Sequence, residues 1–282
     1  MSITVVVPVY NAAPELARCL DSLSVTLSKS APVLLCDDAS PDQRVTALLD
    51  RFCSTHAGAR VVRRTENLGF VGNVNAAVAE TGGDLVLLNS DAVVTKGWLE
   101  ALQRCVDSDP WIATATPWSN NAEICSFPRF CENNPEPDDV DAIVDAAESI
   151  GQPAYPDLPT AVGFCMYLRR AALDAIGDFD QATFGRGYGE ENDWCLRASG
   201  HGWRHVLCDD AYVIHAGGAS FSAEGHSPGG ENLRRLLARY PGYNELIADF
   251  ILRDPLKPLR QRLHDAWQQR RQPAPQRDLF NA

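Results

Sequence analysis

Three groups of acidic residues could do chemistry in this sequence. Asp91 follows the apolar run 85–88, Asp38 follows the run 33–36, and a third acidic group occupies positions 190–193. Carboxylates bind divalent cations or take up protons. Because the strand ends of an open α/β sheet meet at its ligand-binding edge, we expect Asp38 and Asp91 to share a site. The simpler alternative is that such residues only shape turns or cap helices.

The elements that must position these carboxylates alternate between strand and helix. Unbroken apolar runs predict buried parallel strands at 3–7, 33–36 and 85–88, a further strand is predicted around 59–64, and segments with helical spacing separate the four. Pro8 is expected at or beyond the end of the first strand. This alternation predicts a doubly wound α/β half. The chain lacks both G-x-G-x-x-G after the first strand and a P-loop, which disfavours Rossmann oxidoreductases and P-loop ATPases.

Composition narrows the class of protein further. The 282 residues are 45% hydrophobic, which is enough for a full core. Residues 2–10 have strand character rather than that of a leader, and no apolar stretch has membrane-spanning length, so we expect a cytoplasmic protein. Nine cysteines without a C-x-x-C pair predict reduced core thiols. A net charge of −12 excludes a non-specific nucleic-acid binder.

The charge is uneven along the chain. Residues 229–282 contain 10 Lys and Arg against 6 Asp and Glu, whereas the preceding 228 contain 15 against 31. Helical spacing continues to about residue 271, and a disordered tail is predicted over 272–282. Two interpretations of the basic helices stay open. In the first, the helices lie on an anionic membrane surface, which would place the protein on the inner face of a membrane. In the second, they pack on the domain or on a second subunit.

Several short motifs carry a resemblance to a known family. They are Val7-Pro8-Val9-Tyr10-Asn11, Asp37-Asp38-Ala39-Ser40, Asn67-Leu68-Gly69-Phe70, Leu88-Asn89-Ser90-Asp91, Gly163-Phe164-Cys165-Met166, the segment Gly187 to Trp194, and Val213-Ile214-His215. In this order the motifs resemble the family-two inverting glycosyltransferases of the GT-A fold, in particular bacterial polysaccharide and rhamnosyltransferase-like members. The resemblance covers about the first 220 residues.

The resemblance implies a fold and a domain plan. The fold would be an α/β GT-A fold, a Rossmann-like and mostly parallel sheet flanked by helices. A glycosyltransferase domain would span 1–228, with a nucleotide-binding half at about 1–117 and an acceptor half at about 118–228. A helical C-terminal extension would follow at 229–271. Residues 133–148 read as an exposed insertion, and the loop 216–230 is expected to close over the donor.

The resemblance also implies a nucleotide site for a UDP-, GDP- or dTDP-sugar. Pro8 and Tyr10 would form an apolar wall for the base, and Asp38 would accept a hydrogen bond from a base N–H. Asp37 would orient the turn or contact the ribose. The backbone around Asn67 and Gly69 would approach the phosphates or the ribose. Ser90 is assigned to the same nucleotide site.

A divalent metal, Mn²⁺ or Mg²⁺, is the implied cofactor. Asp91 occupies the last position of the family's D-x-D motif, and His215 is the implied second ligand. Asn89 occupies the first position and departs from the pattern. Because an amide is a neutral and poorer ligand than a carboxylate, we expect weak metal binding in the absence of the nucleotide.

The acidic group at 190–193 is the implied catalytic centre. Glu191 aligns with the base that takes a proton from the acceptor hydroxyl, and Glu190 and Asp193 would orient the acceptor or the helix. Here Glu replaces the usual Asp at 191. Without the resemblance, these residues are ordinary partners of a helix dipole. Trp118, Asn120 and Trp194 are weaker candidates for acceptor contacts.

The predicted function is metal-assisted transfer of a sugar, with inversion, to a hydroxyl of a glycan, a lipid-linked molecule or a protein. Two alternatives stay open, namely a sugar-phosphate nucleotidyltransferase and a non-catalytic nucleotide-sugar or carbohydrate-binding relative. Asn89 is the best argument for the second. The sequence is also compatible with a homo-oligomer.

Overall fold

A single sheet organises the chain. The computed structural model describes residues 3–185, 187–217 and 230–271. Within these ranges nine strands form one sheet in the order β3-β2-β1-β4-β8-β6-β9-β5, with β7 paired to β9. The strands are β1 Thr4–Val9, β2 Val33–Asp37, β3 Ala59–Arg63, β4 Leu85–Leu88, β5 Ala92–Val94, β6 Ile112–Trp118, β7 Asp157–Leu158, β8 Cys165–Leu168 and β9 Arg204–His215.

The first four strands in the sheet order are parallel. Val5 is in register with Val33 of β2 and with Val86 of β4, so the carboxyl ends of the three strands lie side by side. Pro8 lies inside β1, opposite Cys36, and not beyond its end as the sequence predicted. Pro8 is tolerated because β4 pairs with β1 only up to Val6, so the missing N–H of proline interrupts no bond on that side.

The other half of the sheet is mixed rather than parallel. Strand β8 runs antiparallel to both β4 and β6, and β5 and β7 run antiparallel to β9. The reversal has a consequence for the site, because β8 begins where β4 ends. The backbone N–H of Asn89 donates to the carbonyl of Phe164 at 2.9 Å. The sheet is therefore parallel over β3, β2, β1 and β4, with antiparallel strands in the rest.

Helices cover both faces of the sheet. They are α1 Ala13–Thr26, α2 Gln43–Thr55, α3 Gly69–Ala79, α4 Trp98–Asp107, α5 Val140–Ser149, α6 Arg170–Ile176, α7 Gln181–Phe184, α8 Glu190–Gly200, α9 Glu231–Arg239, α10 Tyr243–Arg253 and α11 Lys257–Arg271, with a short 3₁₀ helix at Glu123–Cys125. No helix in the described part of the chain is both long enough and apolar enough to span a membrane.

The C-terminal helix α11 belongs to the main core. Its side chains Leu259, Leu263 and Trp267 are buried in the same cluster as residues of β1, α1 and α5. The second core, on the other face, packs α3, α6 and α8 against the sheet. The predicted boundary at 228 and most of the predicted loop 216–230 lie outside the described residues, as does the predicted tail.

Candidate active site

A cavity of about 220 Å³ opens at the carboxyl ends of β1, β2 and β4. Ten of the residues predicted from the sequence line it, namely Pro8, Tyr10, Asp38, Asn67, Gly69, Ser90, Asp91, Glu190, Glu191 and His215. They come from positions as far apart in the chain as 8 and 215. The parallel register of the strands and the reversed direction of β8 bring them together.

The turns at one end of the cavity are built by their own polar side chains. Asp37 accepts a hydrogen bond from the N–H of Ser40 at 3.0 Å, which orients its turn. Asp38 is buried and one of its oxygens accepts from the N–H of Leu68 at 2.7 Å. This bond ties the end of β2 to the turn that precedes α3. The Asn67 side chain accepts from the N–H of Gly69 at 3.0 Å, and Gly69 has a φ of +73°, a conformation that favours glycine.

Asp91 and His215 form a pair, which we call the metal pair because the sequence predicts both residues as metal ligands. Asp91 Oδ1 lies 3.4 Å from His215 Nε2. The Nδ1 of His215 faces the carbonyl of Asn121 at 2.7 Å. Because a carbonyl only accepts, Nδ1 carries the proton, and in the neutral ring the lone pair of Nε2 faces the carboxylate. That arrangement is repulsive unless a cation, either a proton or a metal ion, lies between the two groups.

The surroundings of the ring agree with this geometry. Burial lowers the pKa of His215, but the hydrogen bond and charge of Asp91 outweigh burial and raise the pKa above its ordinary value. Among the residues described, no cluster of three or more His, Cys, Asp or Glu side chains could hold an ion alone. The metal pair by itself therefore offers two side chains to an ion.

The acidic residues stand at the start of α8, where Gly189 precedes the helix with a φ of +102°. Glu190 is 4% exposed, and its Oε2 has no hydrogen-bond partner among the described residues. Glu191 is half-buried and accepts from the amide of Asn192 at 3.3 Å. Burial raises the pKa of both carboxyls, and the charge of Glu191 raises that of Glu190 further. Such groups are suited to proton transfer near neutral pH.

Comparison with known proteins decides the family. The family model described as Glycosyl transferase family 2 matches residues 4–177, more than half of the chain. The chain belongs to this family. Its fold is the α/β GT-A fold of glycosyltransferases, and it is a glycosyltransferase.

Three known proteins show what this glycosyltransferase resembles. It is 24% identical over 275 residues to the N-acetylglucosaminyl-diphospho-decaprenol L-rhamnosyltransferase of Mycobacterium tuberculosis (strain CDC 1551 / Oshkosh), covering 87% of this chain and 83% of the relative. A mannosyltransferase, PcManGT from Pyrobaculum calidifontis in complex with GDP-Man and Mn²⁺, has a TM-score of 0.57 at 19% identity, covering 94% of this chain and 85% of the other. GalNAc-T7 with UDP, GalNAc and Mn²⁺ has a TM-score of 0.64 at 15% identity, covering 94% of this chain. The chain spans only 54% of GalNAc-T7.

Four predicted site residues of the glycosyltransferase do not line the cavity. Asp193 is fully buried, and its carboxylate accepts from Arg197 at 2.9 Å and from Arg239 at 2.6 Å. Tyr240 also donates to it, at 3.1 Å. Asp193 therefore holds α8 in place and does not face a substrate, which is the helix-orienting alternative that the sequence left open.

The three predicted acceptor residues are also buried. Trp118 is 0% exposed and packs against Phe127 with ring centroids 6.3 Å apart. Trp194 is 0% exposed and donates its indole N–H to the carbonyl of Gly177 at 2.8 Å. Asn120 is 3% exposed and bonds to the backbone of His215. The predicted acceptor contacts of these three side chains are therefore wrong, because an acceptor cannot reach a side chain enclosed in the core.

The structure adds residues that sequence reasoning left without a role. Phe164 lines the cavity and stacks on the His215 ring, with centroids 5.1 Å apart and planes 24° apart. Tyr188 lines the cavity with a φ of +69° between two glycines. Its position between two glycines just before the acidic run was the available sequence signal, and its left-handed conformation in the structure agrees, since strained residues cluster at functional sites. Asn73 also lines the cavity, and its amide donates to the carbonyl of Cys36 at 2.8 Å.

Proposed function

We propose that this glycosyltransferase moves a sugar from a nucleoside-diphosphate sugar to an acceptor hydroxyl in a single displacement that inverts the anomeric carbon. One observation carries the proposal. A single cavity holds Asp38 at one end, the metal pair beside the end of β4, and Glu191 at the start of α8. This order matches the base, the diphosphate and the transferred sugar of one bound donor.

The donor is bound by residues of the first half of the sheet. Pro8 and Tyr10 form the wall against the base, and Asp38 accepts a hydrogen bond from it. Asn67, Gly69 and Ser90 face the ribose and the phosphates. Asp91 and His215 would hold a divalent ion, which would supply positive charge against the departing diphosphate. A ring nitrogen among the ligands favours Mn²⁺ over Mg²⁺, because Mg²⁺ prefers oxygen.

The chemical step needs one proton acceptor. Glu191 takes the proton of the acceptor hydroxyl while that oxygen forms a bond to the anomeric carbon. The bond from this carbon to the diphosphate oxygen breaks, and the diphosphate leaves with the electron pair. No covalent intermediate with the protein is required. Glu190 is more deeply buried, and a hydrogen bond from its side chain lowers the pKa of Glu191, against the larger rise that burial causes.

Substitution of the base tests this assignment. We expect Glu191→Gln to lower the rate of transfer on the order of 100-fold or more at saturating donor and acceptor, because general-base catalysis is lost. Glu148→Gln, a matched change at an exposed position of α5, should transfer normally. Both variants should keep the thermal stabilisation by nucleoside diphosphate and Mn²⁺. Near-normal transfer by Glu191→Gln would remove Glu191 from the role.

Product analysis separates the proposed reaction from its alternatives. The transferase should release nucleoside diphosphate from its donor in the presence of Mn²⁺. Release of pyrophosphate would instead indicate a nucleotidyltransferase, and the absence of any turnover would indicate a binding protein. Thermal-shift measurements with UDP-, GDP- and dTDP-sugars identify the donor, because a ligand present at 100 times its Kd stabilises the folded state by about 2.7 kcal/mol.

We further propose that the acceptor is lipid-linked and that the C-terminal helices contact the membrane that carries it. The named acceptor of the mycobacterial relative is a decaprenol-linked diphosphate. Helix α10 buries none of its residues completely, and Leu252 is 86% exposed. The basic C-terminal segment supplies positive charge that favours anionic headgroups.

Vesicle pelleting tests the membrane contact. The transferase should sediment with anionic vesicles more than with neutral ones, and Leu252→Glu should weaken this binding several-fold. Val25→Glu is the matched control, because Val25 is also 86% exposed but lies on α1. Equal binding by both variants would contradict the proposed surface. Dimers of the wild type that are lost in Leu252→Glu, measured by light scattering, would assign the surface to a second copy instead.

A further inference from the structure

We propose that Asn120 and Asn134 are positioning residues that fix the metal ligand His215 in the orientation needed to bind the ion. The inference rests on the metal pair assigned under the proposed function and deepens it. Neither asparagine lines the cavity, and the sequence placed one of them at the acceptor and the other in an exposed insertion. The structure shows both side chains buried, at 3% and 2% exposure.

The Asn120 side chain makes hydrogen bonds to both backbone polar groups of His215, its N–H and its carbonyl. Its amide donates to the carbonyl of His215 at 3.0 Å, and its side-chain oxygen accepts from the His215 N–H at 2.9 Å. His215 is the last residue of β9; Ala92 of β5 pairs with it on one side, but on the other side the pairing with β6 ends at Tyr212. The two bonds therefore replace the missing neighbour and fix the position of the Cα atom.

Asn134 holds Asn120 in turn. The N–H of Asn134 donates to the carbonyl of Asn120 at 2.9 Å, and the Asn120 amide also donates to the carbonyl of Asn134 at 3.2 Å. The Asn134 amide donates to the carbonyls of Arg129 and Glu132 at 2.9 and 3.1 Å. Each buried amide thus has partners for its N–H groups, which is the condition under which polar groups rigidify a buried site.

Two further contacts fix the rotation of the His215 ring. The carbonyl of Asn121 accepts from Nδ1, and Asn121 is the chain neighbour of Asn120. Phe164 stacks on the ring from the cavity side. With the Cα position and the ring rotation both restrained, Nε2 faces Asp91 before any ion arrives. Such supporting contacts commonly contribute 10- to 100-fold to metal affinity.

The chain provides a matched control for the two hydrogen bonds between Asn120 and the His215 backbone, which we call the clamp. Asn75 makes the same two-way contact with a different backbone, donating to the carbonyl of Phe179 at 2.8 Å and accepting from its N–H at 3.1 Å. Substitution of Asn75 removes the same two kinds of hydrogen bond, but these hold the backbone of Phe179, which lines the same cavity and is not a member of the metal pair. Comparison of the two positions therefore separates metal positioning from a loss of folding stability.

The experiment is a titration of the full-length protein with Mn²⁺ alone, followed by the free-ion electron paramagnetic resonance signal. We expect Asn120→Ala to weaken Mn²⁺ binding by about 10- to 100-fold, with Asn75→Ala remaining within about 2-fold of the wild type. Both variants should lower the midpoint of thermal unfolding. If Asn120→Ala does not fold, Asn120→Ser, whose side chain is too short to bridge both backbone groups, replaces it.

Two results would overturn the inference, and they have different meanings. If Asn120→Ala and Asn75→Ala bind Mn²⁺ equally well while His215→Ala binds it weakly, the metal pair stands and the clamp does not act on it. If His215→Ala binds Mn²⁺ as well as the wild type, the metal assignment itself is wrong and the inference falls with it.

Discussion

Asn89 lies in the cavity beside Asp91, and its neutral amide contributes no charge to the metal pair. The affinity of an oxygen-rich site for a divalent ion rises with the number of carboxylates that it offers. Under the proposed function, the phosphates of the donor would supply the remaining negative charge. Metal binding would then depend on donor binding.

Asn89→Asp should reduce the dependence of metal binding on the donor. We expect the added carboxylate to tighten binding of Mn²⁺ in the absence of nucleotide by on the order of tenfold, measured by the same titration. Asn67→Asp is the control, since it makes the same chemical change in the turn before α3 and retains an oxygen for the Gly69 N–H. Unchanged affinity in Asn89→Asp would mean that position 89 does not face the ion.

Helix α8 carries the carboxylates proposed for catalysis, and Asp193 connects it to α9. Arg239 of α9 contacts both Asp193 and Asp180, and Arg197 also donates to the carbonyls of Ile176 and Asp178. The glycine-rich loop before α8 is held as well, because the Asn232 amide donates to the carbonyls of Phe184 and Gly187. Residues 176–185 and 187–190 are thereby held by contacts with α8 and α9.

Asp193→Asn should therefore affect folding more than chemistry. The substitution removes the buried negative charge that pairs with Arg197 and Arg239, and it should lower the free energy of unfolding by about 3 kcal/mol. Asp249→Asn, which removes the partner of exposed Arg253 on α10, should cost less than about 1 kcal/mol. Urea denaturation measures both. Equal losses would show that the buried network does not hold α8.

His205 lies on β9 and links the sheet to α8. It is buried, its Nε2 donates to the carbonyl of Cys195 at 2.9 Å, and its Nδ1 accepts from Thr114 at 2.7 Å. Burial lowers the pKa of His205 to about 4. The neutral ring satisfies both contacts, whereas a second ring proton would break the bond from Thr114.

A pH dependence of stability follows for the whole fold. Below the ordinary histidine pKa, His205 is protonated in the unfolded chain but stays neutral in the folded protein. The free energy of unfolding therefore falls by about 3 kcal/mol in all as the pH drops from about 6.5 to about 4. His205→Asn should lose this component, and the exposed His201→Gln should retain it. Denaturation at pH 4, 5, 6 and 7 gives the difference, and parallel curves for wild type and His205→Asn would contradict it.

The sequence by itself determined the elements and the polar residues at their ends. Continuous apolar runs are sufficient to identify buried strands, and strand order and the family resemblance together placed Asp38, Asp91 and Glu191 in one cavity. Pro8 was misplaced because the sequence does not show where the pairing of β4 with β1 stops. The mixed direction of the second half of the sheet was not apparent either, since apolar periodicity is the same for parallel and antiparallel strands.

Only the tertiary structure decided which polar and aromatic side chains face the cavity. Trp118 and Asp193 have residue types that suit a substrate contact, yet one packs into the core and the other neutralises two arginines that come from different helices. Asn120 and Asn134 acquire their partners from β9 and from each other. Burial and pairing of this kind depend on contacts between residues far apart in the chain, which local composition and spacing do not specify.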